Sequence, residues 1–417
     1  MKNKKFAALF LTAITALNFT ACNQISSVDM TKDFTPEQMR GKAADDAFIS
    51  SQLEFSLRLF KEEYKQNSGN LLISPLSLTC ALALTANGAE GETLEQIESI
   101  MGGLPLSELN EYLYTYRSSL SSGEGFKLHS ANSIWFKDEE KITFRNEFLQ
   151  TDVNYFSSEI YKADFDASTA ADINNWANKN TGGMIKKAVD KIDPEAVMYL
   201  INALAFDAEW AKIYEKSNIK EGSFTAENGE KREAEMMYSE ESVYLEDENA
   251  IGFMKRYKGG KYSFAALLPN EGTTISEYLD LLSAESLQEL LKDFRYCEVT
   301  AAVPKFKYEC DFSLSDTLKS FGVTDAFDRF TADFSKMAEI NVPNYNLYIN
   351  DVLQKNFIEV NEKGTKAGAV TSFHMNLGCT SAGPPEKRVI LDRPFVYMIV
   401  DNENYLPIFM GALTDIN

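Results

Sequence analysis

Apolar positions fall with the period of a helix in the first half of the chain and with the period of a strand in the second. Ile49, Leu53, Leu57, Phe60 and Tyr64 are spaced three and four apart, one face of a helix over 45–64. Ser74-Pro75 offers a cap and a proline suited to a first turn. A second helix is therefore predicted to run to Ala86 and stop at Asn87-Gly88. Helical spacing recurs over 90–101, 106–120, 144–156 and 170–181, and alternation over 126–136 predicts a strand. The run 197–206 is apolar throughout and reads as a strand buried on both faces. From 219 to 269 strands prevail, with turns at Asn228-Gly229 and Gly259-Gly260. A helix is predicted over 275–293, strands over 298–309 and 347–360, and an apolar hairpin over 389–400 and 405–413. No linker divides the halves, so one α+β domain is expected over 45–417.

Composition narrows the function. Hydrophobic residues are 44% of the 417, enough for a large core. The formal charge of −21 repels phosphate backbones, so no nucleic-acid partner is expected. The two histidines, His129 and His374, lie far apart in the sequence, which argues against a Ser-His-Asp hydrolase. His129, in strand-like sequence, reads as structural. No GxSxG, Walker or HExxH pattern occurs, and the five cysteines fit no zinc spacing. Neither metal nor cofactor is expected. Cys80 lies in an apolar run and reads as a small core residue; Cys297 and Cys310 flank strand-like sequence and are expected to be unpaired, with a disulfide between them the alternative.

The amino terminus has the layout of a secretory signal over 1–21. Lys2, Lys4 and Lys5 precede an apolar stretch too short to span a bilayer as a mature helix. It ends Phe19-Thr20-Ala21-Cys22, which resembles a bacterial lipobox with Phe19 where leucine is usual. The resemblance implies acylation at Cys22 and a place in the bacterial cell envelope. Residues 22–44 are polar, carry Pro36 and show no clear period, and are expected to be a tether.

The segment 362–385 is unusual for so charged a chain. From Ala367 to Pro385 it holds 19 residues without Asp, Glu, Lys or Arg, directly after a predicted strand. Written as a strand it alternates. Thr365, Ala367, Ala369, Thr371, Phe373 and Met375 share one face, and Lys366, Gly368, Val370, Ser372, His374 and Asn376 the other. The first face carries no charge, so the loop is able to become a buried strand.

Six strings in order then resemble the serpin family across nearly the whole chain after residue 45. They are NLLISPLS at 70–77, INALAF at 201–206 with Trp210, VPKF at 303–306, NFIEVNEKG at 356–364, VILDRPFVYMI at 389–399 and Phe409-Met410-Gly411. The resemblance implies three β-sheets, one large and mixed, surrounded by eight to nine helices, with an exposed reactive loop over about 362–388. It implies a monomeric inhibitor that is not an enzyme. A protease would attack the loop, form an acyl-enzyme and be trapped as the cleaved loop inserts into the central sheet. Carried over residue by residue, Glu362, Gly364, Thr365, Ala367 and Ala369 match the hinge. Lys366 departs from a usual glutamate. Ser74, Ser77 and Asn202 match a cluster beneath the sheet that lets its strands part, where Gln354 replaces a frequent histidine. Trp210 and Lys305 match the top of the sheet, the latter paired with Glu362. The usual spacing puts the attacked bond at Gly378–Cys379, with Leu377 and Met375 as alternatives because the loop is long. The partner is expected to be an elastase-, chymotrypsin- or subtilisin-like protease, or a papain-like one, rather than a trypsin-like one. A non-inhibitory binding module is the competing reading.

Overall fold

The computed structural model describes residues 26–67, 69–120, 123–139, 141–342, 345–365 and 387–416. Among these are nine α-helices and sheets of seven, nine and two strands, an α+β architecture. The predicted elements form close to where the pattern put them. Ser74 caps the helix Pro75–Ala86 by accepting from the Ser77 N–H. That helix is buried on almost every side because it lies beneath the seven-stranded sheet. Met198–Glu209 is buried on both faces, as its unbroken apolar run requires.

Four expectations need correction. The helix expected over 275–293 is two, Ile275–Leu281 and Ala284–Lys292, because Ser283 forms a capping box with Ser286 and starts a new helix. The strand expected over 298–309 is also two. Arg295–Pro304 belongs to the nine-stranded sheet and Phe306–Ser313 to the seven-stranded one, with Lys305 alone between them. The first arm of the carboxyl-terminal hairpin breaks at Asp392-Arg393-Pro394 into Lys387–Ile390 and Phe395–Asp401. The tether, lastly, is docked from residue 26 onward. Val28–Asp29 pairs antiparallel with the edge strand Glu159–Ala163, itself missed because five residues give too little period to read.

The seven-stranded sheet positions the candidate site. Its order is Val28–Asp29, Glu159–Ala163, Phe126–Lys137, Met198–Glu209, Gly364–Thr365, Asp351–Val360, Phe306–Ser313. The helix Ala167–Asn180 lies across its outer face, where Ile173 and Trp176 share a core with Trp135, Tyr199 and Ile201. The nine-stranded sheet packs on the other side.

One buried carboxyl yields a pH prediction. Asp152, on the helix Asn146–Phe156, is fully buried and accepts one hydrogen bond from Asn87. Burial holds its pKa well above the usual carboxylate range. The folded protein thus keeps a proton that the unfolded chain loses above about pH 4, so stability falls as pH rises through that window. Asp152→Asn is expected to raise the thermal unfolding midpoint at neutral pH and to bring no gain below about pH 4.

Candidate functional site

The two central strands of the seven-stranded sheet are joined only at their lower ends. Parallel pairing runs from Asp351 opposite Tyr199 to Asn356 opposite Leu204. Above that rung, 205–207 and 357–359 do not pair with each other. The two residues Gly364–Thr365 close the top, Gly364 opposite Glu209 and Thr365 opposite both Ala208 and Val360. The hinge residues Gly364 and Thr365, just before the uncharged stretch, are therefore already strand. A Cβ on Gly364 would fall 1.9 Å from the Ala208 carbonyl oxygen, so only glycine fits without parting the backbones. Thr365 is 1% exposed, and its hydroxyl lies 2.5 Å from that of Tyr257. Its side chain points inward, as the alternation requires.

An aromatic platform holds the turn before the hinge. Trp210 stacks on Tyr257 with ring centroids 4.5 Å apart and planes 12° apart. Its indole N–H donates to the Asn361 carbonyl at 2.9 Å and its backbone N–H to the Lys363 carbonyl at 2.8 Å. The Tyr214 N–H donates to the Glu362 carbonyl. Behind these rings Lys255 forms an ion pair with Glu241 at 2.7 Å, and its ammonium lies 4.3 Å from the Tyr214 ring centre. Burial depresses the Lys255 pKa, while Glu241 opposes that by charge and hydrogen bond. Lys305 meets Glu362 at 3.0 Å and Glu235 at 3.4 Å, the first being the pair that the resemblance implies. Glu362 is held below its ordinary pKa by a backbone hydrogen bond and then by Lys305.

Beneath the joined half, a buried polar cluster ties the strands to the helix below. Gln354 accepts from the Ser74 N–H at 2.9 Å and donates to the Ser74 carbonyl at 3.0 Å and to Asn202 at 3.4 Å. Asn202 donates to the Ser77 carbonyl and to Asn132. Asn356 donates to the Leu72 carbonyl at 2.9 Å and to Gln354 at 3.0 Å. All of these residues are buried and none is titratable. A network of amides and hydroxyls holds two strands together without fusing them.

The structure brings Ser74, Ser77, Asn202 and Gln354 together, and Trp210, Lys305, Glu362, Gly364 and Thr365 at the upper end of the sheet. Cys22, Ala367, Ala369, Met375, Leu377, Gly378 and Cys379 lie outside the described residues. Beyond the loop, Lys387–Ile390 runs parallel to 299–302. His129 sits half-buried on the strand Phe126–Lys137, opposite Ala205. Cys80, Cys297 and Cys310 are free thiols; burial raises the first to about 11 and the third to about 12. Sequence reasoning missed Asn132, Asn356, Tyr257 and the Lys255–Glu241 pair. Asn132 left a signal, since it falls on the apolar phase set by Phe126, Leu128, Ile134 and Phe136.

Comparison with known proteins agrees with this geometry. Residues 50–416 match the family model described as serpin (serine protease inhibitor). An uncharacterized serpin-like protein of Thermococcus kodakarensis is 32% identical, over 86% of this chain and 83% of its own. A leukocyte elastase inhibitor of Xenopus laevis is 29% identical, over 87% of this chain and 97% of its own. Among solved structures, the thermophilic serpin tengpin in its native state superposes with a TM-score of 0.88 at 45% identity, covering 93% of this chain and 99% of that one.

Proposed function

Because the chain belongs to the serpin family, whose members are generally inhibitors of proteases and not catalysts, we propose that it is a suicide inhibitor of a serine protease. One observation carries this reading. Gly364 and Thr365 are hydrogen-bonded into the mouth of a parted sheet, with their small side chains in the phase an inserted strand needs.

The mechanism follows from that register. A protease attacks a bond in the loop and is held as an acyl-enzyme. The freed hinge extends downward from Thr365, antiparallel to Met198–Glu209. Each step of two residues adds antiparallel hydrogen bonds, first along 205–207, which lack a partner on that side, and then in place of the parallel bonds to 351–356. Continuing the register sets Ala367, Ala369, Thr371, Phe373 and Met375 inward, Thr371 opposite Asn202 and Met375 opposite Met198. About 14 inserted residues at ~3.3 Å each carry the protease roughly 45 Å and distort its active site before water releases it. Thr371 arrives at the polar cluster, where the side-chain atoms Ser77 Oγ and Asn356 Oδ1 have no protein partner among the described residues. Thr371→Val is therefore expected to reduce the stabilisation that follows loop cleavage by about 1 kcal/mol, as read by chemical denaturation of the cleaved form.

The recognition window has no Arg or Lys from 367 to 385. Elastase-, chymotrypsin- or subtilisin-like enzymes are thus the proposed targets, and Gly378–Cys379, or a bond after Leu377 or Met375, the proposed site. Acylation at Cys22 would hold the protein on a bacterial membrane. Incubation with a panel of serine and papain-like proteases tests the reading. An SDS-resistant complex is expected with the enzymes that prefer apolar side chains and not with trypsin-like ones. Cleavage by every protease, with no complex and no rise in thermal stability, would overturn it.

A further inference from the structure

The docked segment 26–44 begins at the end of the sheet opposite the loop and runs from there along its edge. Val28 pairs with Lys162, Lys162 with Phe136, and Phe136 with Met198. Val28 therefore lies on the Met198 rung, next to the lowest of the seven-stranded sheet. Thr365 lies on the Ala208 rung, ten residues up that strand and about 33 Å away. The loop leaves one end of the sheet and the amino-terminal segment begins at the other.

Only residues 23–25 separate Cys22 from Ser26, and four Cα steps span at most roughly 14 Å. A lipid on Cys22 would hold the lower end of the sheet against the bilayer and point the loop away from it. That suits encounter with a protease and obstructs its translocation. Insertion carries the protease to the Met198 rung, the level at which Val28 is docked. A compact enzyme of roughly 220 residues is about 44 Å across, and a gap of about 14 Å does not admit it.

We propose that residues 26–44 are a stowed spacer, docked while the inhibitor is armed and released when a protease is trapped, so that the protein stands off the membrane by the length of the freed segment. The proposal rests on acylation at Cys22 and on loop insertion as argued above. Released as far as Ala44, the 22 residues beyond Cys22 reach up to roughly 75 Å.

The docking is built to let go. Of residues 26–44 only Thr31 is buried. Strand pairing is two residues long, with further backbone bonds from Met30 to Ile160 and from Lys42 to Glu111, and beyond them the Glu37 N–H donates to Asn154, Gln150 donates to the Thr35 carbonyl and Lys42 pairs with Glu108. The first four polar contacts all end on one carboxylate oxygen, where the backbone and hydroxyl groups of Ser26 and Ser27 donate to Asp172 at 2.7 to 3.0 Å. Asp172 belongs to the helix Ala167–Asn180, which lies over the outer face of Met198–Glu209. A new strand entering beside Met198–Glu209 must pass beneath that helix. Its displacement moves the one group to which Ser26 and Ser27 are tied.

A reversible staple tests this. Val28→Cys with Lys162→Cys joins partners on adjacent strands and fixes the segment when oxidised. The full chain, lipidated and reconstituted in vesicles, is compared with the same stapled chain carrying Cys22→Ser in solution. The stapled soluble chain is expected to form SDS-resistant complexes as the unstapled one does. On vesicles the staple is expected to remove most of the complex and divert the protease to simple loop cleavage, and reductant to restore it. Equal trapping by stapled protein on vesicles and in solution would overturn the spacer. Loss of trapping in both settings would overturn it as well, by showing that the segment gates the sheet itself. Failure of the full chain to float with vesicles would remove the proposal through its lipid premise. Absence of any complex from the unstapled soluble chain would remove it through the inhibitory one.

Discussion

Thr365→Arg is expected to turn the protein from a trap into a substrate. The loop should still be cut, but no SDS-resistant complex should form, and the cleaved product should melt no higher than the intact one. The reason lies in the site that residue 365 fills. It is 1% exposed, faces the Tyr257 hydroxyl and lies opposite Ala208, with Phe206 packed against Tyr257 nearby. These neighbours offer a guanidinium no carboxylate. Burying an unpaired charge there costs several kcal/mol, more than the few backbone bonds of a two-residue strand return. The hinge is expelled, and residues behind it cannot enter first. Thr365→Val is the control, because it keeps the shape and gives up only the hydroxyl contact, about 1 kcal/mol. An arginine variant that trapped protease as well as the parent would show that the hinge does not enter by this route.

Lys255→Met is expected to cost about 3–5 kcal/mol of folding stability, the loss typical when one member of a buried ion pair is removed. The lysine side chain is 3% exposed and its partner Glu241 12%. Glu241 would keep its contact with the Ser239 hydroxyl but lose its countercharge. The ammonium also contacts the rings of Trp210 and Tyr214, so the loss reaches the platform beneath the hinge turn. Lys255→Met with Glu241→Leu should recover most of the stability, since a well-packed apolar pair often equals a buried ionic one. Chemical denaturation of the two single variants and the double gives the coupling energy. A single variant within about 0.5 kcal/mol of the parent would show the pair to be solvated in practice.

Most of the fold is legible in the sequence because long elements carry long periods. The stripe from Ile49 to Tyr64 and the run ending at Phe206 each repeat often enough to declare their geometry. Pattern fails where an element is short or where one residue changes its sheet. Nothing local in Val303-Pro304-Lys305-Phe306 says that the chain leaves one sheet and joins another at Lys305. The docked segment escapes for a related reason, since a strand of two residues held by side-chain oxygens has no hydrophobic signature. At the site, Ser74, Ser77, Asn202, Gln354, Glu362 and Lys305 are singled out by resemblance, and the fold gathers them beneath the sheet and at its upper end. Lys255 and Glu241 are invisible, because a buried ion pair between strands looks in sequence like two surface charges.

That single residue at 305 also makes a load path. The strands Asp351–Val360 and Phe306–Ser313 are paired over eight rungs and must move together when the sheet widens. Lys305 passes this displacement to Arg295–Pro304, which lies between Lys231–Glu246 and Lys387–Ile390, the latter at the far end of the loop. The four-residue parallel pairing there is the most compliant member of the series. Admitting one end of the loop should therefore pull on the other, and slack released at the hinge would be matched by loosening at 387–390. Amide exchange at 387–390 should rise in step with opening of the sheet, some 20 residues away along the chain from the hinge that opens it.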